Sequence, residues 1–124
     1  MTDRAPRPTA PRRIERLATL PLFHKLDGRK VVLAGSSEGA LWKAELLASA
    51  GCNLLILAGG SAEMFAELAA DPPSGTVEVR ARNWQAADLD GATLAIADID
   101  AVEEAKAFAA AARQLGVPVN LVDK

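Results

Sequence analysis

Apolar residues in this chain fall into short continuous runs separated by longer amphipathic stretches, and the two kinds alternate. Val31 to Ala34 is wholly apolar, as a strand covered on both faces requires. Ser37 or Glu38 to Ala50 then has helical periodicity, with Ala40, Leu41, Ala44, Leu47 and Ala48 on one face and Lys43 and Glu45 elsewhere. Gly51 stops that helix. Asn53 to Ala58 is a second apolar strand. Gly59-Gly60-Ser61 is a turn whose serine is placed to cap a helix over Ala62 to Ala70. Asp71-Pro-Pro-Ser-Gly75 is a loop, and Thr76 to Arg80 alternates like a strand near a sheet edge. Leu94 to Ala97 is the fourth strand. Residues 101–115 form a helix with Val102, Ala105, Phe108, Ala109 and Ala112 inward, and Val117 to Val122 is the fifth strand.

Strand and helix in alternation predict a single α/β domain with a doubly wound parallel sheet. Right-handed crossovers give the strand order 3-2-1-4-5. This is a Rossmann-like architecture. Its first turn, Gly35-Ser-Ser-Glu-Gly-Ala40, opens the first helix straight from the first strand. Such a turn aims backbone N–H groups at the phosphates of a dinucleotide. Read as G-x-G-x-x-G/A, it has Gly35 first and Ala40 last, but Ser37 stands at the middle glycine. The candidate cofactor-binding residues are Gly35, Ser36, Ser37, Glu38, Gly39 and Ala40, with Asp98 and Asp100 after the fourth strand. Those two aspartates are placed either to touch a ribose or to cap the next helix. No acid ends the second strand, where a ribose-binding Asp or Glu is usual, so the sequence does not itself choose NAD over NADP.

The chain has 124 residues, enough for one buried core, with few aromatics. Residues 1–16 hold five Arg against Asp3 and Glu15, a net +3; the rest holds nine basic against fourteen acidic residues, a net −5. Residues 1–18, with Pro6, Pro8 and Pro11, read as a flexible N-terminal arm, and residues 19–124 as the nucleotide-binding domain. Leu20-Pro-Leu-Phe23 reads as a short segment packed on the sheet edge. No run approaches the roughly 20 apolar residues of a membrane helix, and the N-terminus lacks the apolar core of a secretory signal. The single Cys52 reads as a core residue in a reducing cytoplasm, not a nucleophile. His24, the only histidine, reads as a surface residue, since a metal site needs several converging ligands. Trp42 and Trp84 read as packing residues; the acidic globular part has no basic patch to pair with them for nucleic acid.

Several stretches together resemble the N-terminal dehydrogenase–ferrochelatase domain of siroheme synthases. Leu20-Pro-Leu-Phe23 and Leu26-Asp-Gly-Arg-Lys-Val-Val-Leu are similar to that family's "LPxFxxLxGRxVLVVG". Lys43-Ala-Glu-Leu-Leu with Ala50-Gly51 is similar to "xKxxLLLxAGA", and Asp90-Gly-Ala-Thr-Leu-Ala-Ile-Ala to "l.g..LviaAT". Val119-Asn-Leu-Val-Asp123 is similar to "VNVVD". The likeness keeps its order and spacing over residues 20–123.

The resemblance implies NAD as hydride acceptor in the oxidation of precorrin-2 to sirohydrochlorin, followed by assisted insertion of Fe²⁺ as substrate. It implies Asp123 as the acid/base residue of both steps. It also implies a cytoplasmic homodimer as the complete enzyme. The chain departs from the family in three places. "GGGE/DVA" appears as Gly35-Ser-Ser-Glu-Gly-Ala40, "ATDD" as Asp98-Ile-Asp100-Ala101, and an asparagine that follows as Ala105. The family continues past the position of Lys124 with an "S-x-G-x-S/T-P" segment and a helical dimerisation region, and in full siroheme synthases a methyltransferase domain can follow. The expectation is therefore a module of a longer enzyme, inactive by itself. Two alternatives stand beside it: a non-catalytic nucleotide-sensing domain resembling the potassium-transport modules, and a degenerate scaffold that binds nothing. The first normally has an intact glycine motif and an acid ending the second strand, and this chain has neither. The two serines in the turn favour the second.

Overall fold

The computed structural model describes residues 25–122. The central strand β1, Lys30–Ala34, is the apolar run of the sequence, and Val31, Val32 and Leu33 are fully buried. It pairs in parallel with β2 (Asn53–Leu57) on one side and β4 (Leu94–Ala97) on the other. β3 (Thr76–Arg80) extends the sheet beyond β2, and β5 (Val119–Leu121) extends it beyond β4. The observed order is β3-β2-β1-β4-β5, all parallel, as the alternation predicts. β3 shows the half-exposed alternation expected of an edge.

Because successive side chains of a strand point to opposite faces, the core has two halves. Val31, Leu33 and Ile56 pack under α1 (Glu38–Ser49) together with Phe65 and Leu68. Val32, Ala34, Ala95 and Ala97 pack under α3 (Val102–Gln114) together with Leu89. Ala40, Ala44 and Ala48 recur every four residues on α1 and are fully buried, so the helix backbone lies close to the sheet. Cys52 is buried, its thiol donates to the Leu47 carbonyl at 3.3 Å, and burial pushes that thiol up. It is a core residue, as expected, and stays protonated.

The structure corrects several local expectations. The segment after β2 begins as a 3₁₀ turn (Ala62–Phe65) and becomes the short helix α2 (Ala66–Ala70) only later. Ser61 makes no cap hydrogen bond. Its φ of −120° and ψ of 41° lie outside the extended region from which a cap side chain reaches back. Val102 is exposed because it stands in the first turn of α3, out of reach of the sheet. Trp42 is 62% exposed, so it is not a packing residue; Leu46, one turn on, is exposed as well. β5 starts at Val119, two residues later than expected, since Pro118 carries no N–H for the ladder. The N-terminal arm, the Leu20–Phe23 segment, His24 and Asp123 lie outside the described residues. Among the described residues no helix is long and apolar enough to cross a membrane.

Candidate functional site

In an open parallel sheet, ligands bind at the carboxyl edge where the strand order reverses. Here that place lies between β1 and β4, and the Gly35–Ala40 turn stands on it. Gly35 continues β1 with φ of +146°, a conformation that L side chains rarely adopt. A Cβ there would come within 2.7 Å of the Asp98 carbonyl oxygen, so glycine is required by the close approach of the two strand ends.

Ser37 is the N-cap of α1. Its extended backbone, φ −101° and ψ 172°, lets Oγ accept the Ala40 N–H at 3.0 Å. The same hydroxyl donates to Asp98 Oδ2 at 2.5 Å, the short end of a charge-assisted O–H···O⁻ bond. Asp98 is only 8% exposed. A Cβ at Gly39 would sit 3.5 Å from Asp98 Oδ2 and 3.6 Å from Ser37 Oγ. The carboxylate therefore lies over the first turn of α1, beside Gly39, while Gly35 faces the Asp98 backbone.

Register produces this meeting. Ala34 of β1 is level with Ala97 of β4, and the Asp98 N–H donates to the Ala34 carbonyl at 2.8 Å. The residue after each partner then lies beside the other. Gly35, Ser37, Gly39, Ala40 and Asp98 are thus brought together. Ser36 and Glu38 are exposed beside them. Asp100 is exposed on the way into α3. The N-cap position of that helix is Ala101, which supplies no side-chain cap. Beside the ribose contact and the capping of α3 that the sequence offers for it, Asp98 bonds the cap residue of α1.

Gly35 and Ser36 of the turn also line a cleft of about 100 Å³. Gly35 and Ser36 form one wall, Gly59 and Asn83 another, and Trp84, Ile99 and Glu104 close it. Trp84 is half-buried, edge-on to Phe108 at 5.1 Å, and its Nε1–H donates to Glu104 at 3.1 Å. It is a packing residue, as expected, that also shapes the cleft. Sequence reasoning missed Asn83 and Glu104. The only signal was position: Asn83 follows the strand next to β2, and Glu104 lies in the first turn of α3.

Arg82 grips Asp88 with two bonds of 2.9 and 2.8 Å, and Asp88 also accepts the Gln85 N–H. These contacts hold the segment that carries Asn83 and Trp84. The Arg82 guanidinium holds the Asp88 carboxyl below the usual carboxylate range. A depressed folded-state pKa adds stability that is present above the unfolded value and is lost as pH falls through the folded one. Asp88→Asn is therefore expected to reduce stability at neutral pH and flatten its decline in acid. Urea denaturation from about pH 5 to pH 2 measures this, and a variant with the wild-type slope would refute it.

This edge has the strand–turn–helix layout on which dinucleotide-binding folds hold their ligand. The turn, the twelve-residue helix α1 and the adjoining cleft are where the fold puts its phosphates and one ribose. The Asp98 carboxylate at the start of α1 opposes a phosphate there.

A strand, a tight glycine turn and a helix at the switch point define a dinucleotide-binding class of α/β domain. The chain belongs to the family described as "Putative NAD(P)-binding", whose profile matches residues 22–124. Its sequence is 47% identical over 104 residues to the siroheme synthase of Pseudomonas putida (strain W619) and 43% identical to that of Azotobacter vinelandii (strain DJ). Each match covers 84% of this chain and 22% of the relative, so the chain spans about a fifth of those proteins. The likeness carried by the motifs is thereby borne out. Among solved structures, the precorrin-2 dehydrogenase SirC superposes with a TM-score of 0.63 at 14% identity, over 86% of this chain and 50% of that one. That similarity establishes the shared fold.

Proposed function

We propose that this chain is the NAD-binding domain of a siroheme-forming enzyme that oxidises precorrin-2 to sirohydrochlorin and assists the insertion of Fe²⁺. The observation that carries this reading is the 47% identity over 104 residues to a siroheme synthase. Bound nicotinamide supplies the hydride acceptor. Gly35 and Ser36 would line its path, and the N–H groups of Glu38 and Gly39 would hold its phosphates. Asp123 takes the proton that leaves the tetrapyrrole as the hydride departs, and accepts N–H protons as iron enters. A carboxylate suits both tasks because each removes protons from the same ring. The complete enzyme is a cytoplasmic homodimer, and its dimerisation region forms the other wall of the tetrapyrrole cleft. Residues 1–124 alone are then expected to give no turnover of precorrin-2.

The direct test is calorimetry with NAD. Weak binding by the wild-type chain and tighter binding after Ser36→Gly with Ser37→Gly is the expected result, since glycine lets the backbone approach the phosphates. The second reading, a scaffold that binds no nucleotide, is favoured by the Ser37 hydroxyl filling the cap of α1. Failure of the double glycine variant to bind NAD, NADP or ADP-ribose would establish that second reading.

A further inference from the structure

We infer that Ser37 and Asp98 form an internal latch on the phosphate end of the dinucleotide site, which sets its selectivity by charge. This deepens the nucleotide reading above and rests on it. The two residues are 61 positions apart and joined by a 2.5 Å hydrogen bond. Each stands where the chain leaves the family pattern: Ser37 in place of a glycine in "GGGE/DVA", Asp98 in place of the alanine in "ATDD". Two separate departures that bond to one another act as one device.

The positive end of the α1 dipole attracts an anion, and the buried Asp98 carboxylate already stands there. Its Oδ2 orients the Ser37 hydroxyl, and that hydroxyl engages the Ala40 N–H. An incoming phosphate meets a like charge in a partly desolvated place, where repulsion is stronger than in water. It also finds the Ala40 donor taken. Gly35 is held to glycine by the Asp98 backbone carbonyl, and a Cβ at Gly39 would stand in ordinary contact with Asp98 Oδ2, so Asp98 borders the turn at both places. A dinucleotide therefore binds only as the Asp98 side chain turns away, and the cost of that movement lowers the affinity for phosphate-bearing ligands but not for an uncharged nucleoside.

The test is calorimetry on the 124-residue chain with NAD, inorganic pyrophosphate and adenosine. Asp98→Asn keeps an oxygen to accept the Ser37 hydroxyl but removes the charge. It is expected to tighten NAD and pyrophosphate by about tenfold or more while leaving adenosine within about twofold. Ser37→Gly releases the Ala40 N–H and unties Asp98 at little cost to the helix. It is expected to tighten the same two ligands, and the double variant to gain less than the product of the single gains, because both act on one bond. Thermal melts accompany each variant, and Ser37→Gly serves if Asp98→Asn does not fold. Equal NAD affinity in the wild type and both single variants overturns the latch while leaving the nucleotide reading standing. An equal gain for adenosine overturns it too, since the effect would then not be one of charge. No binding of any ligand by any variant overturns the nucleotide reading, and the latch falls with it.

Discussion

Asp123→Asn is expected to slow precorrin-2 oxidation by about 10²-fold or more, the usual cost of removing a positioned acid/base group. The protein for this measurement is a chimera. In it, this chain replaces the matching 104-residue segment of the Pseudomonas putida siroheme synthase, so that it is joined to the rest of that relative. Asparagine keeps the size and some hydrogen bonding of aspartate but cannot hold the departing proton. The loss should therefore appear in kcat, with NAD affinity nearly unchanged, because Asp123 is assigned to the tetrapyrrole and the Gly35 turn to the nucleotide. Iron insertion should fall in parallel, since the same carboxylate serves both steps. Wild-type rates in the variant would remove the catalytic assignment. A fall in NAD affinity equal to the fall in rate would move Asp123 to the nucleotide side of the site.

Phe108→Ala is expected to destabilise the domain by about 3–5 kcal/mol, the range for deleting a buried aromatic ring. Phe108 is fully buried on α3, within the core half that also holds Val32, Leu89 and Ala112. Three of the strand residues in that half, Ala34, Ala95 and Ala97, are small and cannot reach into the space it leaves. The ring also meets Trp84 edge-on, with planes at 85°, so its loss removes the support of a cleft wall. Against a total stability of about 5–15 kcal/mol for a domain, such a loss is a large fraction. Urea denaturation followed by circular dichroism measures it. A loss below about 1 kcal/mol would show that α3 settles onto the sheet and leaves no cavity. Phe108→Leu, which refills much of the space, should recover most of the stability while leaving Trp84 without its ring partner.

Much of this molecule was legible one element at a time. Val31 to Leu33 are buried as a continuous apolar run demands, and the every-fourth-residue alanines of α1 face the sheet as their spacing says. The expectations that failed were those that depended on neighbours. Trp42 lies on a helix whose buried stripe is made of alanines, so its size says nothing about which way it faces. The 3₁₀ turn at Ala86–Leu89 carries no periodicity to read; it is held by Gln85, Asp88 and Arg82 acting on one another.

Within the sequence alone lay the order of strands, the place of the Gly35 turn at the switch point, and the family. Alternating local patterns and the fixed hand of the crossover leave little choice of topology, because each is a property of short segments. What Asp98 does was decided only by tertiary structure. Its contact with Ser37 follows from the pairing of Ala34 with Ala97 across two strands far apart in the chain, and from Gly35, whose missing Cβ lets the Asp98 backbone come close to the turn. No local pattern encodes a hydrogen bond across 61 residues, since it exists only once the sheet has set the register.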